Sequence, residues 1–257
     1  MISSGYSAIS SYRSIQAANF GAAVDLKGVP GTLAVWWRAD LGVTTVAGKV
    51  SSWIDQSANA IDLTQSTAGN RPTLTSSNSN LNSMASVEFA AATPTVLRHA
   101  SSRPIATDAA RTIFAVCRPT DSTGGCILDF DLGVTGFAFM WFLSAGTTYI
   151  FTDGVAVNIS LSTNPTFLNT ARVNTTVDPG PGVLAKFDSN KAQLVTVSNV
   201  PAETAGSGLS LGARGTAGIT QGFTGSIAEV IVYSGVLAQS SIVMVQNYLH
   251  QRYGIAA

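Results

Sequence analysis

Charged residues are scarce in this sequence. Asp, Glu, Lys and Arg make up 11% of its 257 residues, against about a quarter in a typical soluble domain, and the formal net charge is zero. Without an excess of either sign, no overall electrostatic field draws the chain to nucleic acid or to an anionic membrane surface. We therefore expect neither nucleic acid nor a membrane as a partner.

Long apolar runs and cysteines are also scarce. The longest solid apolar run, Phe137 to Leu143, is far shorter than the roughly 18 residues of a membrane span. The first residues lack a basic start followed by an apolar stretch, so the sequence predicts no secretory signal. Cys117 and Cys126 flank a loop and would face each other if it closed a hairpin, but nothing else indicates a disulfide framework, which favours free core thiols.

Short apolar segments separated by turns dominate the rest of the chain. Thr112–Cys117 is apolar on both faces, as an interior strand requires, and Asp153-Gly154 is a hairpin signal. Helical periodicity is almost absent before the C-terminus, which excludes repeated strand-helix units and leaves one antiparallel sandwich or barrel. Further predicted strands are Leu33–Arg38, Ile127–Asp131, Gly136–Leu143, Thr147–Thr152 and Val155–Leu161.

The C-terminal region combines a long strand with a helix. The segment Gly222–Tyr233 reads as a strand, and Ile242, Val245 and Leu249 then recur at helical spacing. Gly254 followed by an apolar residue is typical of a helix C-cap. The N-terminal cap is less defined, because Ala238 stands where Ser or Asp is usual, so the helix start could shift to Ser240 or Ser241.

This ending resembles that of the concanavalin A-like lectin/glucanase (laminin-G-like) jelly rolls, of the type found in bacteriophage structural proteins. The shared pattern is F-x-G-x-I-A-E-V-x-x-Y, then a helix with Y-L-x-x-x-Y-G, matched here by Phe223–Tyr233 and Tyr248–Gly254. The resemblance implies an all-β, two-sheet antiparallel jelly-roll sandwich over residues 32–257, with a short C-terminal helix. Weaker matches in the same order are Val50–Asn59, Ser86–Phe89, Val183–Val200 and Leu209–Arg214.

Residues 1–31 lie outside the resemblance and are predicted to form an N-terminal arm. Apolar side chains recur there every three residues, a stripe compatible with a helix or with an arm laid on a partner. We expect this stripe to bind a partner, while packing on the chain's own domain and disorder stay open. The stripe consists of Tyr6, Ile9, Tyr12 and Ile15. Gly28, Pro30 and Gly31 are predicted to form the hinge between the arm and the jelly roll.

The sequence predicts no enzyme. Glucanases of this superfamily place two carboxylates on one strand, usually within E-x-D-x-E. The glutamates Glu88, Glu203 and Glu229 each lack a second carboxylate two or three residues away. Asp129 and Asp131 share a strand face, but a strand-end turn is the favoured interpretation. The family analogy makes Glu229 structural, paired with a cation such as Arg214.

Metal and cofactor sites are not predicted either. His99 and His250 are the only histidines, and neither has a further ligand at suitable spacing. Asp55 and Asn59 are the best candidates for a loop calcium site of the kind some relatives carry, although loop-shaping Asx turns are favoured.

Four tryptophans are relevant to carbohydrate binding, which uses exposed aromatic rings. Trp36 and Trp37 are adjacent on a predicted strand, so one must leave the core unless another element covers it. Trp53 matches a core position of the family, and Trp141 is the fourth. Structural roles for all four are favoured over a sugar-stacking platform.

These observations favour a non-enzymatic structural protein of a bacteriophage virion, either a capsid decoration or a tail or fibre component. Its partners would be other virion proteins, with a homo-oligomer also open. The alternative is a lectin-like carbohydrate-binding module that attaches to host-surface glycans and is secreted or held at the cell surface. A cryptic glycoside hydrolase that uses Asp129 or Asp131 is a third hypothesis. Fold resemblance alone does not decide among them.

Overall fold

A computed structural model describes most of the predicted jelly roll. The described residues are 26–121, 125–130, 140–144, 148–152, 158–160, 168–183, 185–197, 202–203, 207–214 and 219–257. Only the backbone is described for 27, 140–144, 148–152, 158–160, 193–195 and 197. The predicted anchor stripe of Tyr6, Ile9, Tyr12 and Ile15 lies outside the described residues.

The described part of the chain is built from antiparallel strands and one closing helix. The strands are β1 Thr32–Arg38, β2 Val43–Val46, β3 Lys49–Trp53, β4 Leu63–Thr64, β5 Thr73–Asn78, β6 Met84–Phe89, β7 Leu97–His99, β8 Arg111–Pro119, β9 Gly125–Asp129, β10 Met140–Ser144, β11 Thr148–Thr152, β12 Asn158–Ser160, β13 Arg172–Asp178, β14 Ala185–Ser189, β15 Ala192–Val197, β16 Leu209–Leu211 and β17 Gly225–Ser234. Helix α1 is Gln239–Tyr253. Short 3-10 turns cover Leu26–Gly28, Ala68–Asn70 and Ser79–Leu81.

The strands form two layers of one curled sheet. In the first layer the order is β15-β14-β13-β8-β17, and β1 and β6 share the far edge of β17, with β5 beyond β6. In the second layer the order is β12-β11-β10-β9-β16-β7-β4-β3-β2. A pair between β3 and β5 joins the layers. The predicted all-β jelly-roll sandwich is confirmed.

The main core lies between the two layers. Trp37, Ile113 and Val230 of the first layer pack in one cluster with Trp53 and Leu97 of the second, and all five side chains are buried. Alternation along each strand places these residues on the inner face, and the next residue of the strand points the other way.

A second core lies on the outside of the first layer, under α1. Trp36 and Phe114 belong to this cluster together with Val245 and Leu249 of the helix. The adjacent tryptophans are therefore both buried, Trp37 between the layers and Trp36 under the helix. Because α1 covers the outer face of β1, neither ring is available to stack on a sugar.

Helix α1 ends as the sequence predicts, and it begins directly after Ala238, without the shift to Ser240 or Ser241 that the missing cap allowed. Gly254 adopts the left-handed conformation with φ 62°, and the Ile255 N–H donates to the His250 carbonyl at 3.1 Å. The helix starts at Gln239, after Ala238, which supplies no side-chain cap. Packing against the sheet, rather than capping, stabilises this start.

The last residues of the predicted arm lie on this second core. Leu26 and Val29 are buried in it, and the Tyr233 hydroxyl donates to the Leu26 carbonyl at 3.0 Å. The Ser241 hydroxyl donates to the Pro30 carbonyl at 3.3 Å. The chain is thus fixed to the domain from residue 26 onward.

Both cysteines are buried, and neither forms a disulfide. Cys117 lies on β8 and accepts a hydrogen bond from the Asn174 amide at 3.2 Å, and Cys126 lies on β9 in the other layer. Burial raises the pKa of the Cys126 thiol, which keeps it protonated. Within the described ranges, no helix combines the length and apolar character needed to cross a membrane.

Acid is expected to destabilise the fold through His250. Burial lowers the pKa of this imidazole below about 6.5, and Lys191 acts in the same direction, while the bond to the Ile255 carbonyl opposes the shift. The unfolded chain therefore binds the proton more readily, so the stability that His250 contributes is complete above about pH 6.5 and is lost as pH falls through the folded-state pKa. Urea midpoints across this range should decline less in His250→Gln than in the wild type. Parallel declines would contradict the prediction.

Candidate functional site

A row of mostly polar residues crosses the second layer. Its members are directly opposite one another in successive ladders, one from each strand. All but Met140 are polar, and we call this set the polar row. From β2 to β12 the polar row is Thr44, Ser52, Thr64, Arg98, Ser210, Asp129, Met140, Thr152 and Asn158.

Strand alternation explains why these residues share one face. The neighbours of row members along the chain, Trp53, Leu63, Leu97, Leu211 and Leu128, are buried in the main core. A strand residue next to a core residue points to the opposite face, so Ser52, Thr64, Arg98, Ser210 and Asp129 lie on the outside of the layer. Adjacent strands are about 4.8 Å apart, which spaces the polar groups at nearly equal steps.

Exposure changes along the polar row. Thr44 and Thr64 are exposed, Ser52 is half-buried, and Ser210 and Asp129 are buried. Arg98 stands at the transition and is partly exposed. The row therefore leads from an open surface of hydroxyl groups to a buried centre that contains one cation and one carboxylate.

The contacts at this centre differ from residue to residue. The Ser210 hydroxyl donates to the Ala213 carbonyl at 2.7 Å, and the Thr64 hydroxyl donates weakly to the Arg98 carbonyl at 3.5 Å. The Arg98 Nε and Nη2 atoms are buried and have no acceptor among the described residues. Asp129, which sequence reasoning singled out, is thus part of this row, whereas Asp131 lies outside the described residues.

A second charged cluster joins the first residue of β8, Arg111, to the last residue of β13, Asp178, and to Glu203. The Arg111 guanidinium, fully buried, contacts Asp178 at 3.0 Å through Nε and Glu203 through Nη2, and Arg103 contacts the other oxygen of Glu203. Both arginines lie 5.7 Å from the centre of the Phe130 ring. These carboxylates and cations form ion pairs with one another, which is characteristic of a structural cluster.

Glu229 is a structural residue under α1. It is fully buried and accepts hydrogen bonds from Trp36 Nε1 at 2.6 Å, from Tyr248 at 3.0 Å and from Tyr253 at 2.8 Å. Burial raises the pKa of this carboxyl, although the Trp36 and Tyr253 donors oppose the shift. The cation nearest to it is Arg252, at 3.6 Å, rather than the Arg214 that the sequence suggested. The reason is that α1 brings its last turn directly over β17.

Glu88, the remaining glutamate, is also held by internal partners. Its carboxylate accepts from the Ser86 hydroxyl at 2.6 Å and from the Ser226 hydroxyl at 2.7 Å. Each of the three glutamates thus has structural partners of its own. The E-x-D-x-E arrangement of the glucanases has no counterpart on the described strands.

The candidate calcium residues Asp55 and Asn59 shape a loop. Asp55 accepts from Trp36 N at 2.9 Å, from Ser57 N at 2.8 Å and from Ile61 N at 3.1 Å, and Asn59 donates to the Ala34 carbonyl at 2.9 Å. The favoured interpretation as loop-shaping residues agrees with these bonds. Across the described residues, no group of three or more His, Cys, Asp or Glu could hold a metal ion.

One shallow groove opens where β1 and β6 leave their shared edge on β17. Small and apolar residues line most of it, together with Asp40 and Ser76. Arg38 binds both oxygens of Asp40, at 3.2 and 2.8 Å, and Arg252 reaches it at 2.6 Å. Because two guanidinium groups occupy this carboxylate, the groove offers less to a ligand than the polar row does.

Sequence reasoning missed the polar row because its members are spread over the chain. Each lies at a polar position of its own strand, but only the register brings Thr64, Arg98 and Ser210 side by side. The alternation of polar and apolar residues was visible in each segment. Nothing in the sequence indicated that β7 pairs with both β4 and β16.

Comparisons with known proteins show the fold. The sequence matches no protein-family profile and no curated protein. It is similar to the binding domain of Paraclostridial Mosquitocidal Protein 1, with a TM-score of 0.61 and 11% identity over 84% of this chain and 52% of that one. It is also similar to Trypanosoma rangeli sialidase in complex with sialic acid, with a TM-score of 0.55 and 12% identity over 87% of this chain and 34% of that one.

The chain therefore spans about half the length of the first of these proteins and about a third of the second. At such low identity the likeness concerns the fold alone, and it agrees with the resemblance to lectin-like jelly rolls found in the sequence. The comparisons are consistent with a lectin-like β fold.

Proposed function

We propose that the protein is a non-catalytic carbohydrate-binding β-sandwich whose ligand lies along the polar row. The observation that carries the proposal is the continuous line of hydroxyl groups at Thr44, Ser52 and Thr64, which leads to a cation at Arg98. Sugars present many hydroxyl groups, and hydroxyl and charged side chains at fixed spacing can bind several of them at once. The neighbouring structures, a toxin binding domain and a sialidase in complex with sialic acid, support a binding role.

The mode of binding follows from what the face offers. The described tryptophan side chains, Trp36, Trp37 and Trp53, are buried, and the backbone register places Trp141 opposite Leu128 of the main core rather than in the polar row. Recognition would therefore depend on hydrogen bonds and charge. Such contacts favour moderate affinity and high sensitivity to the pattern of hydroxyl groups.

Removing two hydroxyl groups from the polar row is expected to weaken glycan binding. In the double variant Ser52→Ala/Thr64→Val, the loss of two hydrogen bonds of about 1 kcal/mol each should raise Kd about thirtyfold. Thr45→Val, an exposed position beside the row, is the matched control and should bind like the wild type. Calorimetry with the ligand found in a glycan array measures both. Equal affinity in the double variant would contradict the proposed site.

A structural role in a bacteriophage particle remains a separate prediction, and no described contact or neighbouring structure favours it. The same glycan array separates the two functions. A protein that binds no glycan and instead copurifies with virion proteins would replace the present proposal with that role.

A further inference from the structure

Arg98 differs from Arg38 and Arg71 in the hydrogen-bond acceptors available to its Nε and Nη2 atoms. In Arg38, Nε and Nη2 donate to the two oxygens of Asp40, and in Arg71 the same two atoms donate to the Gln65 and Ser66 carbonyls, both at 2.8 Å. In Arg98 this edge is buried and has no acceptor among the described residues. Within the described part of the chain, this two-donor edge is thus left without an acceptor.

Such an edge is energetically unfavourable in the free protein. Burial lowers the pKa of the Arg98 guanidinium, and no carboxylate of the described residues offsets this shift. An arginine nevertheless keeps its charge, so the free protein bears the cost of a partly desolvated cation and of two unmet donors. A group that weakens the fold in this way is typical of a ligand-binding position.

We infer that Arg98 binds a carboxylate of the ligand, so that the glycan of the polar row contains a sugar acid. This inference rests on the proposed function and specifies its ligand class. A planar carboxylate matches the Nε and Nη2 edge with two parallel hydrogen bonds, as Asp40 matches Arg38 within this protein.

The neighbours of Arg98 fit the rest of such a ligand. Thr64, next to it in the row, is exposed and carries a hydroxyl that can bind a ring hydroxyl of the same sugar. Ser52 lies one strand further and can bind the next part of the chain. Since Nε and Nη2 lie below the surface of the free protein, a carboxylate reaches them only when the residues that cover them shift. The bound acid then loses its water, which strengthens the charge-assisted bonds.

The test compares acidic glycans with matched neutral ones. Binding of the full chain to oligogalacturonate, oligoalginate and 3′-sialyllactose is measured by calorimetry against their carboxyl-reduced or desialylated counterparts, with acetate as a free carboxylate. We expect at least one acidic glycan to bind ten times or more tighter than its neutral counterpart, and acetate to bind negligibly. Arg98→Met should abolish this preference, and Arg98→Lys, which keeps the charge without the two-donor edge, should retain only part of it.

Thermal unfolding of the free variants supplies a second, independent readout. Arg98→Met should raise the melting temperature by a few degrees because it removes a partly desolvated cation with two unsatisfied donors. The control Arg71→Met should lower the melting temperature and leave the acidic preference intact, since that guanidinium is already satisfied. Binding of neutral and acidic glycans with equal affinity, or an unchanged preference in Arg98→Met, would overturn the inference while leaving the proposed function. Absence of binding to any glycan would overturn both.

Discussion

Replacing Arg111 with methionine is expected to lower the free energy of unfolding by about 3–5 kcal/mol, because it leaves buried carboxylates without their cation. Arg111 is fully buried and contacts both Asp178 and Glu203. Methionine fills much of the same space, so the loss reports the ion contacts more than a cavity. Equilibrium urea denaturation of the full chain measures the effect.

Two further variants separate the ion contacts from packing. Arg103→Met should have a smaller effect, since Arg111 still compensates Glu203. Replacing Arg103, Arg111, Asp178 and Glu203 together by methionine should recover part of the stability, because none of these four charges then remains without its partner. An Arg111→Met variant as stable as the wild type would show that the cluster contributes nothing to folding.

The sequence predicted those elements whose signals are local. The strand that ends at Ser234 and the helix that follows were visible because apolar alternation and helical spacing are properties of adjacent residues. The left-handed Gly254 was predictable for the same reason, since few other residues adopt that conformation at low cost. The adjacent Trp36 and Trp37 also indicated that another element packs on the outer face of β1, and this element is α1.

Contacts between distant segments could not be predicted in this way. Arg111 and Glu203 are separated by 92 residues, and neither segment carries a pattern that indicates the other. The choice of Arg252 over Arg214 as the cation near Glu229 depends on how α1 crosses β17, which is a property of packing. The candidate site is of the same kind, because Thr64, Arg98 and Ser210 meet only through strand register.

The unsatisfied guanidinium edge of Arg98 lowers the stability of the free protein. The number of arginines in the sequence does not reveal such a position, because it depends on the partners of each guanidinium. Among the described arginines, Arg38, Arg111 and Arg252 have carboxylate partners, and Arg71 has carbonyl partners. Arg98 has neither kind of partner among the described residues, and its Nε and Nη2 atoms are buried. Where the described chain leaves a polar group unsatisfied, a ligand is the simplest compensation.

Truncating Phe114 to alanine is expected to lower the free energy of unfolding by about 3–5 kcal/mol, as for other buried aromatic residues. Phe114 is fully buried in the second core, opposite Ile231 on β17, and its ring meets Tyr233 edge-to-face with centroids 6.4 Å apart. The loss combines transfer of apolar surface to water, a cavity under α1 and the aromatic contact. The control Val243→Ala, on the exposed side of the helix, should change stability by less than about 0.5 kcal/mol. Urea midpoints that are equal for Phe114→Ala and the wild type would mean that α1 is not held by this core, and the assignment of the helix as part of the folded unit would then be wrong.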